Sequence, residues 1–335
     1  MPVDPDFDPA ALEQVLGGPV ELCPVAGGQS NPTWFVTQGA RELVLRKKPG
    51  GATLSSAHAV DREYRVMKAL AGSGVPVPEM VLFEEDPAVL GTPFYLMERL
   101  SGSVSESSAL PDLAPDRRRA LYHDAARVLA RLHRLDWRAA GLEGFGKTEG
   151  YYARQVVRWG RQWEATRVQS DRLIEELATW FAGNVPEESP AAVVHGDYRI
   201  GNLIYETGAG RIAGVLDWEL STLGDPMADL AHWMMFYRLA PDQLGGLAGL
   251  DLDALGIPGP SEFLDRYRAE GGSQGDFTPF HRAFAFYRMA VIFEGITARA
   301  KSGQASGADA LEVGALAPVC ARLAAEILSK DANGF

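Results

Sequence analysis

His195-Gly196-Asp197-Tyr198-Arg199-Ile200-Gly201-Asn202 is the stretch that decides the fold, read together with Leu216-Asp217-Trp218-Glu219. A short apolar run precedes each polar cluster: Ala192-Val193-Val194 before the first, Ile212-Ala213-Gly214-Val215-Leu216 before the second. Between them Leu203-Ile204-Tyr205 is a third run and Thr207-Gly208-Ala209-Gly210 a turn. The spacing predicts that Asp197 and Asn202 share a loop and that Asp217 ends a neighbouring strand. Three oxygen-bearing side chains then meet at one edge of a small β element.

Such a set suits magnesium and a phosphate. Magnesium is small and hard, and takes one or two carboxylates together with substrate phosphates. Asp217 supplies a carboxylate, and Asn202 an amide oxygen without a second repelling charge. Asp197, left free of metal, can accept a proton from an incoming hydroxyl. In phosphoryl transfer such a base mainly orients the nucleophile. Arg199 is placed to meet a phosphate oxygen. A polar turn bonded to its own backbone would account for any one of these residues, but not for the ordered set.

His195-Gly196-Asp197 with Asn202 five residues past the Asp, then Asp217 after a strand, resembles the aminoglycoside phosphotransferase / choline kinase-like family. The protein kinases, its distant relatives, have the same Asp-to-Asn spacing in their catalytic loop. Tyr198-Arg199, with Arg46-Lys47-Lys48-Pro49 upstream, is most similar to the kinase-like domains associated with acyl-CoA dehydrogenases. The resemblance implies Asp197 as catalytic base, Asn202 and Asp217 as metal ligands, and Arg199 in place of the protein-kinase catalytic-loop lysine. Two departures stand out. Arg199 is where many antibiotic kinases have His, and Trp218-Glu219 replaces the Phe-Gly that follows the metal-binding Asp of protein kinases.

Upstream, Val20 to Ala26, Gly27-Gly28-Gln29-Ser30-Asn31 and Thr33 to Thr37 read as strand, glycine-bearing turn and strand. Gly28 lets backbone amides approach a phosphate, and Ser30 or Asn31 can add a donor. A plain Gly-Gly hairpin reads the same way. The next strand, Glu42 to Lys48, alternates: Leu43, Leu45 and Lys47 share one face, Val44, Arg46 and Lys48 the other. With the leucines in the core, Arg46 faces the cleft and can meet phosphates bidentately; Lys47 is the alternative. A helix from about Ser55 to Ala71 resembles the kinase αC helix, which makes Glu63 the partner of Arg46. Phe94 to Leu100 reads as the strand into the hinge, where the backbone of Glu98 to Leu100 would meet adenine.

From Pro115 onward the pattern is helical: Asp116 to Leu135, one long helix from Tyr151 to Phe181, then Ser261 to Glu270, Pro279 to Ala300 and Asp309 to Leu328. Asp225 with Pro226 opens another helix, whose Asp229 by resemblance braces the catalytic loop. Trp159 and Trp163 are expected in the core or beside the acceptor. Arg282, Arg288 and Arg299 decorate the helix from Pro279.

The chain has 335 residues and net charge −12. That balance argues against a nucleic-acid partner, and no apolar run reaches the ~20 residues of a membrane span. Cys23 and Cys320 lie in apolar runs and read as buried free thiols of a cytoplasmic protein; the acidic, proline-bearing Met1 to Pro9 is unlike a secretory or transit leader. Nothing calls for an obligate protein partner.

The expected fold is α+β and two-lobed, protein-kinase-like, with an antiparallel β small lobe of five strands (residues 1–100) and a mainly helical large lobe (101–335). The expected activity is ATP- and magnesium-dependent transfer of the γ-phosphoryl group to a hydroxyl of a small molecule. The acceptor is aminoglycoside-like, or a hydroxyacid or hydroxyacyl compound. The competing class is a nucleotide-binding pseudokinase without turnover, against which stand the base and both metal ligands.

Overall fold

The computed structural model describes residues 5–25, 31–50, 59–303 and 310–329. Helix α1 (Pro9–Leu16) is capped by Asp8 and stopped by Gly17 in the left-handed conformation. Strands β1 (Glu21–Pro24), β2 (Thr33–Gln38) and β3 (Arg41–Lys47) form an antiparallel meander. Helix α2 (Val60–Leu70), β4 (Met80–Glu84), the short α3 (Pro87–Leu90) and β5 (Phe94–Glu98) follow. The sheet order is β1-β2-β3-β5-β4.

Strand β3 sorts its side chains by face. Leu43 and Leu45 pack with Leu12, Trp34 and Phe94 in one cluster, while Val44 joins a second that runs through α2 into the large lobe. Burying each leucine is worth about 1.5–3 kcal/mol. Lys47 follows the leucines: it is buried, with Nζ 2.9 Å from Asp6 Oδ1 and 3.0 Å from the Leu90 carbonyl. Arg46 goes the other way, into the cleft.

The large lobe opens with α4 (Pro115–His133), followed by α5 (Tyr151–Thr166) and α6 (Arg172–Gly183). The single helix expected over 151–181 is therefore two. Asp171 caps α6 by accepting from the amides of Leu173 and Ile174, and so starts a new helix where the old one ends. Two β ribbons come next. Strand β6 (Ala192–Val194) pairs with β9 (Thr222–Gly224), and β7 (Leu203–Glu206) with β8 (Arg211–Val215). Helices α7 (Met227–Met235), α8 (Leu252–Leu255), α9 (Pro260–Ala269) and α10 (Pro279–Lys301) complete the lobe with α11 (Ala310–Gly314) and α12 (Ala317–Ser329). The last two divide the helix expected over 309–328. Trp159 and Trp163 belong to the core formed by α5, α6, α10 and α12.

The second ribbon meets the small lobe, where Val215 N–H donates to the Pro76 carbonyl at 2.8 Å, and it also holds the chain just past β5, where Ser103 and Tyr205 exchange N–H···O bonds of 2.9 Å. Cys320 is buried, and its thiol is pushed up to about 12 by burial. Cys23 corrects the sequence expectation: it is a free but exposed thiol, because β1 is the edge strand of the sheet. No helix among the described residues is long and apolar enough to cross a membrane.

Candidate active site

Strand β6 delivers the chain to His195, and the loop that follows is held from four sides. Gly196 has φ +87°, where a Cβ would sit 2.9 Å from the Leu220 carbonyl oxygen, so glycine is required. Buried Asp229, on α7, accepts from the amides of His195 (2.7 Å) and Gly196 (2.8 Å), and lies 3.1 Å from His133 Nε2. Burial pushes its carboxyl up, but His133, His195 and the amides outweigh that and leave it below its ordinary value. Arg288, from α10, donates to the Gly196 carbonyl at 2.8 Å. Tyr198, fully buried, donates to the Ala125 carbonyl of α4.

The tautomer of His195 follows from its neighbours. Asp197 N–H donates to Nδ1 (3.2 Å), so Nε2 carries the proton and donates to the Leu216 carbonyl at 2.8 Å. One imidazole thus spans the Asp197 loop and the residue before Asp217. The Leu216 amide in turn donates to the Asn202 carbonyl at 2.8 Å.

Asp197 is gripped on both oxygens. Asn202 Nδ2 donates to Oδ2 and to the Asp197 carbonyl, each at 2.8 Å, which leaves its amide oxygen as the acceptor end. Arg199 Nε lies 3.7 Å from Oδ2, while its Nη1 meets Glu106 at 3.2 Å. His232 Nε2 lies 2.7 Å from Oδ1. Burial raises the carboxyl's pKa, yet His232, Arg199 and His195 together hold it well below the usual carboxylate range. His232 has no counterpart among the residues singled out in the sequence. The signal was its spacing, three residues past Asp229 on one helix.

Across the cleft, Arg46 bridges the lobes. Its guanidinium lies 3.1 Å from Glu63 Oε2, 3.3 Å from Asp217 Oδ1 and 3.9 Å from Glu219 Oε2. Glu63 also accepts from Asn31 Nδ2 (2.7 Å) and the Tyr95 hydroxyl (2.8 Å). Burial pushes Glu63 up to about 6, against the opposing pull of Arg46 and Tyr95. Burial also works to lower the Arg46 pKa, but Glu63, Asp217 and Glu219 outweigh it and raise it. This guanidinium is charged at any physiological pH.

Asp217 has φ +63° and ψ +63°, a left-handed conformation that costs a non-glycine residue about 1–3 kcal/mol. Aspartate tolerates it better than most. The chemistry of the donor set fits magnesium: one carboxylate and one amide oxygen, a pair that phosphate oxygens of a nucleotide would complete. Among the described residues no group of three His, Cys, Asp or Glu side chains can hold a metal by itself.

The remaining predicted residues fall as follows. Gly28 and Ser30 lie outside the described residues. Asn31 is buried with its side chain turned to Glu63. Glu98 pairs its side chain with Arg41, and its amide donates to the Glu79 carbonyl. Leu100 packs so closely on β8 that a Cβ at Gly214 would lie 2.2 Å from its Cδ1.

Beside Asp197 opens a cavity of about 690 Å³. Its polar lining is Glu106, Ser107, Asp197, Arg199 and His232, and Met235, Phe236, Leu244, Met289, Phe293 and Ile296 supply most of the rest. A second cavity of about 650 Å³, between residues 74–79 and α4, holds none of the candidate residues.

Residues 21–272 match the model of the phosphotransferase enzyme family. Acyl-CoA dehydrogenase family member 10 of Mus musculus is 43% identical over 327 residues, covering 96% of this chain and 31% of the relative. Acyl-CoA dehydrogenase family member 11 of Gallus gallus is 41% identical over 318 residues, covering 90% and 41%. The chain thus spans less than half the length of these curated relatives. A crystal structure of a candidate aminoglycoside phosphotransferase from Ralstonia eutropha JMP134 is 39% identical, with TM-score 0.89 over 98% of this chain and 100% of that one. The aminoglycoside phosphotransferase APH(4)-Ia, in complex with AMP-PNP and hygromycin B, has TM-score 0.64 over 96% and 98% at 18% identity. That last likeness is one of fold.

Proposed function

The chain belongs to the phosphotransferase enzyme family, and from that premise we propose that it moves the γ-phosphoryl group of ATP, with magnesium, to a hydroxyl of a small molecule held in the cavity beside Asp197. The observation that carries this reading is the placement of Asp197. It lines the cavity and, through Asn202 and His195, is tied to the segment that carries Asp217. A hydroxyl in the cavity would therefore face both a carboxylate and the metal-binding edge.

Each residue then has a task. Asp197 accepts the hydroxyl's hydrogen bond and aims its oxygen. Asp197 takes the proton as the new P–O bond forms, which suits a loose transition state. Asn202 and Asp217 would hold magnesium, which when bound would neutralise phosphate charge. Arg46 lets go of Asp217 as the nucleotide enters, freeing a carboxylate for the metal and a guanidinium edge for phosphate, while Glu63 keeps it in place. Arg199 neutralises charge on the transferred group. Gly28 and Ser30 are assigned to the phosphates on their sequence alone, Asn31 supports the site through Glu63, and the backbone from Glu98 to Leu100 meets adenine. The lobes divide between residues 100 and 101.

The cavity favours one acceptor class. A polycationic aminoglycoside needs several carboxylates, and among the described residues this lining offers Glu106 and Asp197 beside many apolar side chains. That supports a hydroxyacid or hydroxyacyl compound, with its chain against Met289, Phe293 and Ile296 and its hydroxyl at Asp197. Transfer of labelled γ-phosphate to a panel of hydroxyacids, hydroxyacyl thioesters and aminoglycosides tests it. Label on the first two classes is expected. Label on aminoglycosides alone would overturn the acceptor assignment, and no transfer to any acceptor would favour a pseudokinase.

A further inference from the structure

Asp229 and His232 stand three positions apart on α7 and so face the same way. The first grips the backbone of the Asp197 loop through the amides of His195 and Gly196. The second reaches the side chain of Asp197 itself, with Nε2 2.7 Å from Oδ1. His232 is buried, with 3% of its surface exposed, and its ring packs edge-on against Phe236 at 5.9 Å. Nε2 has no aligned hydrogen-bond partner among the described residues. The contact is the close approach itself, Nε2 to Oδ1 at 2.7 Å.

The proton on that nitrogen is set by electrostatics. A bare imidazole lone pair facing a carboxylate at this distance would be repelled, so Nε2 must carry hydrogen. Oδ2 of Asp197 is already taken by Asn202. An oxygen of an ionised carboxylate has two acceptor directions. A donor on each oxygen fixes the plane of the group and leaves one direction on Oδ1 open to the cavity that both residues line.

We propose that His232 is a positioning residue for phosphoryl transfer, donating Nε2–H to Asp197 so that the carboxylate meets the acceptor hydroxyl in a single orientation. The role rests on Asp197 as the base and extends that reading to a residue outside the catalytic loop. A carboxylate released from one of its two donors samples orientations that do not aim the hydroxyl. Turnover should then suffer while nucleotide binding, which belongs to Arg46, does not.

The test compares His232→Ala with His232→Gln, whose amide nitrogen can occupy the place of Nε2. Loss of one hydrogen bond to a charged group predicts a fall in kcat of about 10- to 100-fold for His232→Ala, with KM for ATP unchanged. His232→Gln should recover turnover to within about tenfold of wild type, and both variants should melt cooperatively. In an Asp197→Asn background His232→Ala should cost nothing more, because the two act as a unit. Wild-type kcat in His232→Ala, or equal loss in both variants, would overturn the proposal. The contact is also readable without turnover: the ring ¹⁵N resonances of His232 should shift in Asp197→Asn, and unchanged resonances would equally overturn it. Failure of the phosphotransferase reading looks different, since wild type would then label no acceptor.

Discussion

Arg46 on β3 and Asp217 after β8 are 171 residues apart in sequence, and their side chains meet at 3.3 Å across the cleft. The same guanidinium rests on Glu63, so three elements of two lobes converge on one positive charge. In the proposed reaction this charge passes from Asp217 to the phosphates.

Removing Arg46 should therefore weaken the nucleotide more than the acceptor. Arg46→Ala is expected to raise the Kd for magnesium-ATP about 10- to 100-fold, the worth of a hydrogen bond to a charged group. Arg46→Lys should fall between, since an ammonium cannot bridge Glu63 and a phosphate as a planar fork does. Titration calorimetry measures it. Unchanged affinity in Arg46→Ala would remove this residue from the phosphate site.

Glu63 adds a pH dependence. Its ordinary value is 4.5, and burial raises it to about 6. The Glu63–Arg46 ion pair is thus complete only above that value, and ATP affinity should rise as pH increases from about 5 to about 7. Stability runs the other way. The folded state binds this proton more tightly than the unfolded one, so the group's stabilising contribution is full below about 4.5 and lost as pH rises through about 6. In Glu63→Gln both dependences should flatten. A wild-type pH profile for ATP affinity in that variant would contradict the assignment.

Asp229 is the structural anchor. Asp229→Ala leaves two buried amides and the His133 imidazole without their acceptor, and should lower the unfolding free energy by about 3–5 kcal/mol. Urea denaturation reads this directly. A change under about 1 kcal/mol would mean the loop is held by its other contacts.

The lobes and the loop were legible because they are written in local patterns. Alternation along β3 sends Arg46 and Lys47 to opposite faces, and spacing puts Asp197 and Asn202 on one turn before β7. Contacts between elements were not. That Asn31 turns to Glu63, or that His232 reaches Asp197, depends on how α2 and α7 dock, which no local pattern specifies. The break between α5 and α6 was visible in principle, since Asp171 is a strong N-cap. It was hidden by aromatic residues that keep helical spacing on both sides. Cys23 was misplaced because an apolar neighbourhood in sequence says nothing about which strand ends up at the sheet edge.

Single-turnover transfer from labelled magnesium-ATP by Asp197→Ala, alongside its ATP affinity, tests the central claim most directly. Expected is a loss of transfer of about 10²–10⁴-fold, the contribution of a positioned base, with nucleotide affinity close to wild type. Transfer at the wild-type rate in Asp197→Ala would contradict it.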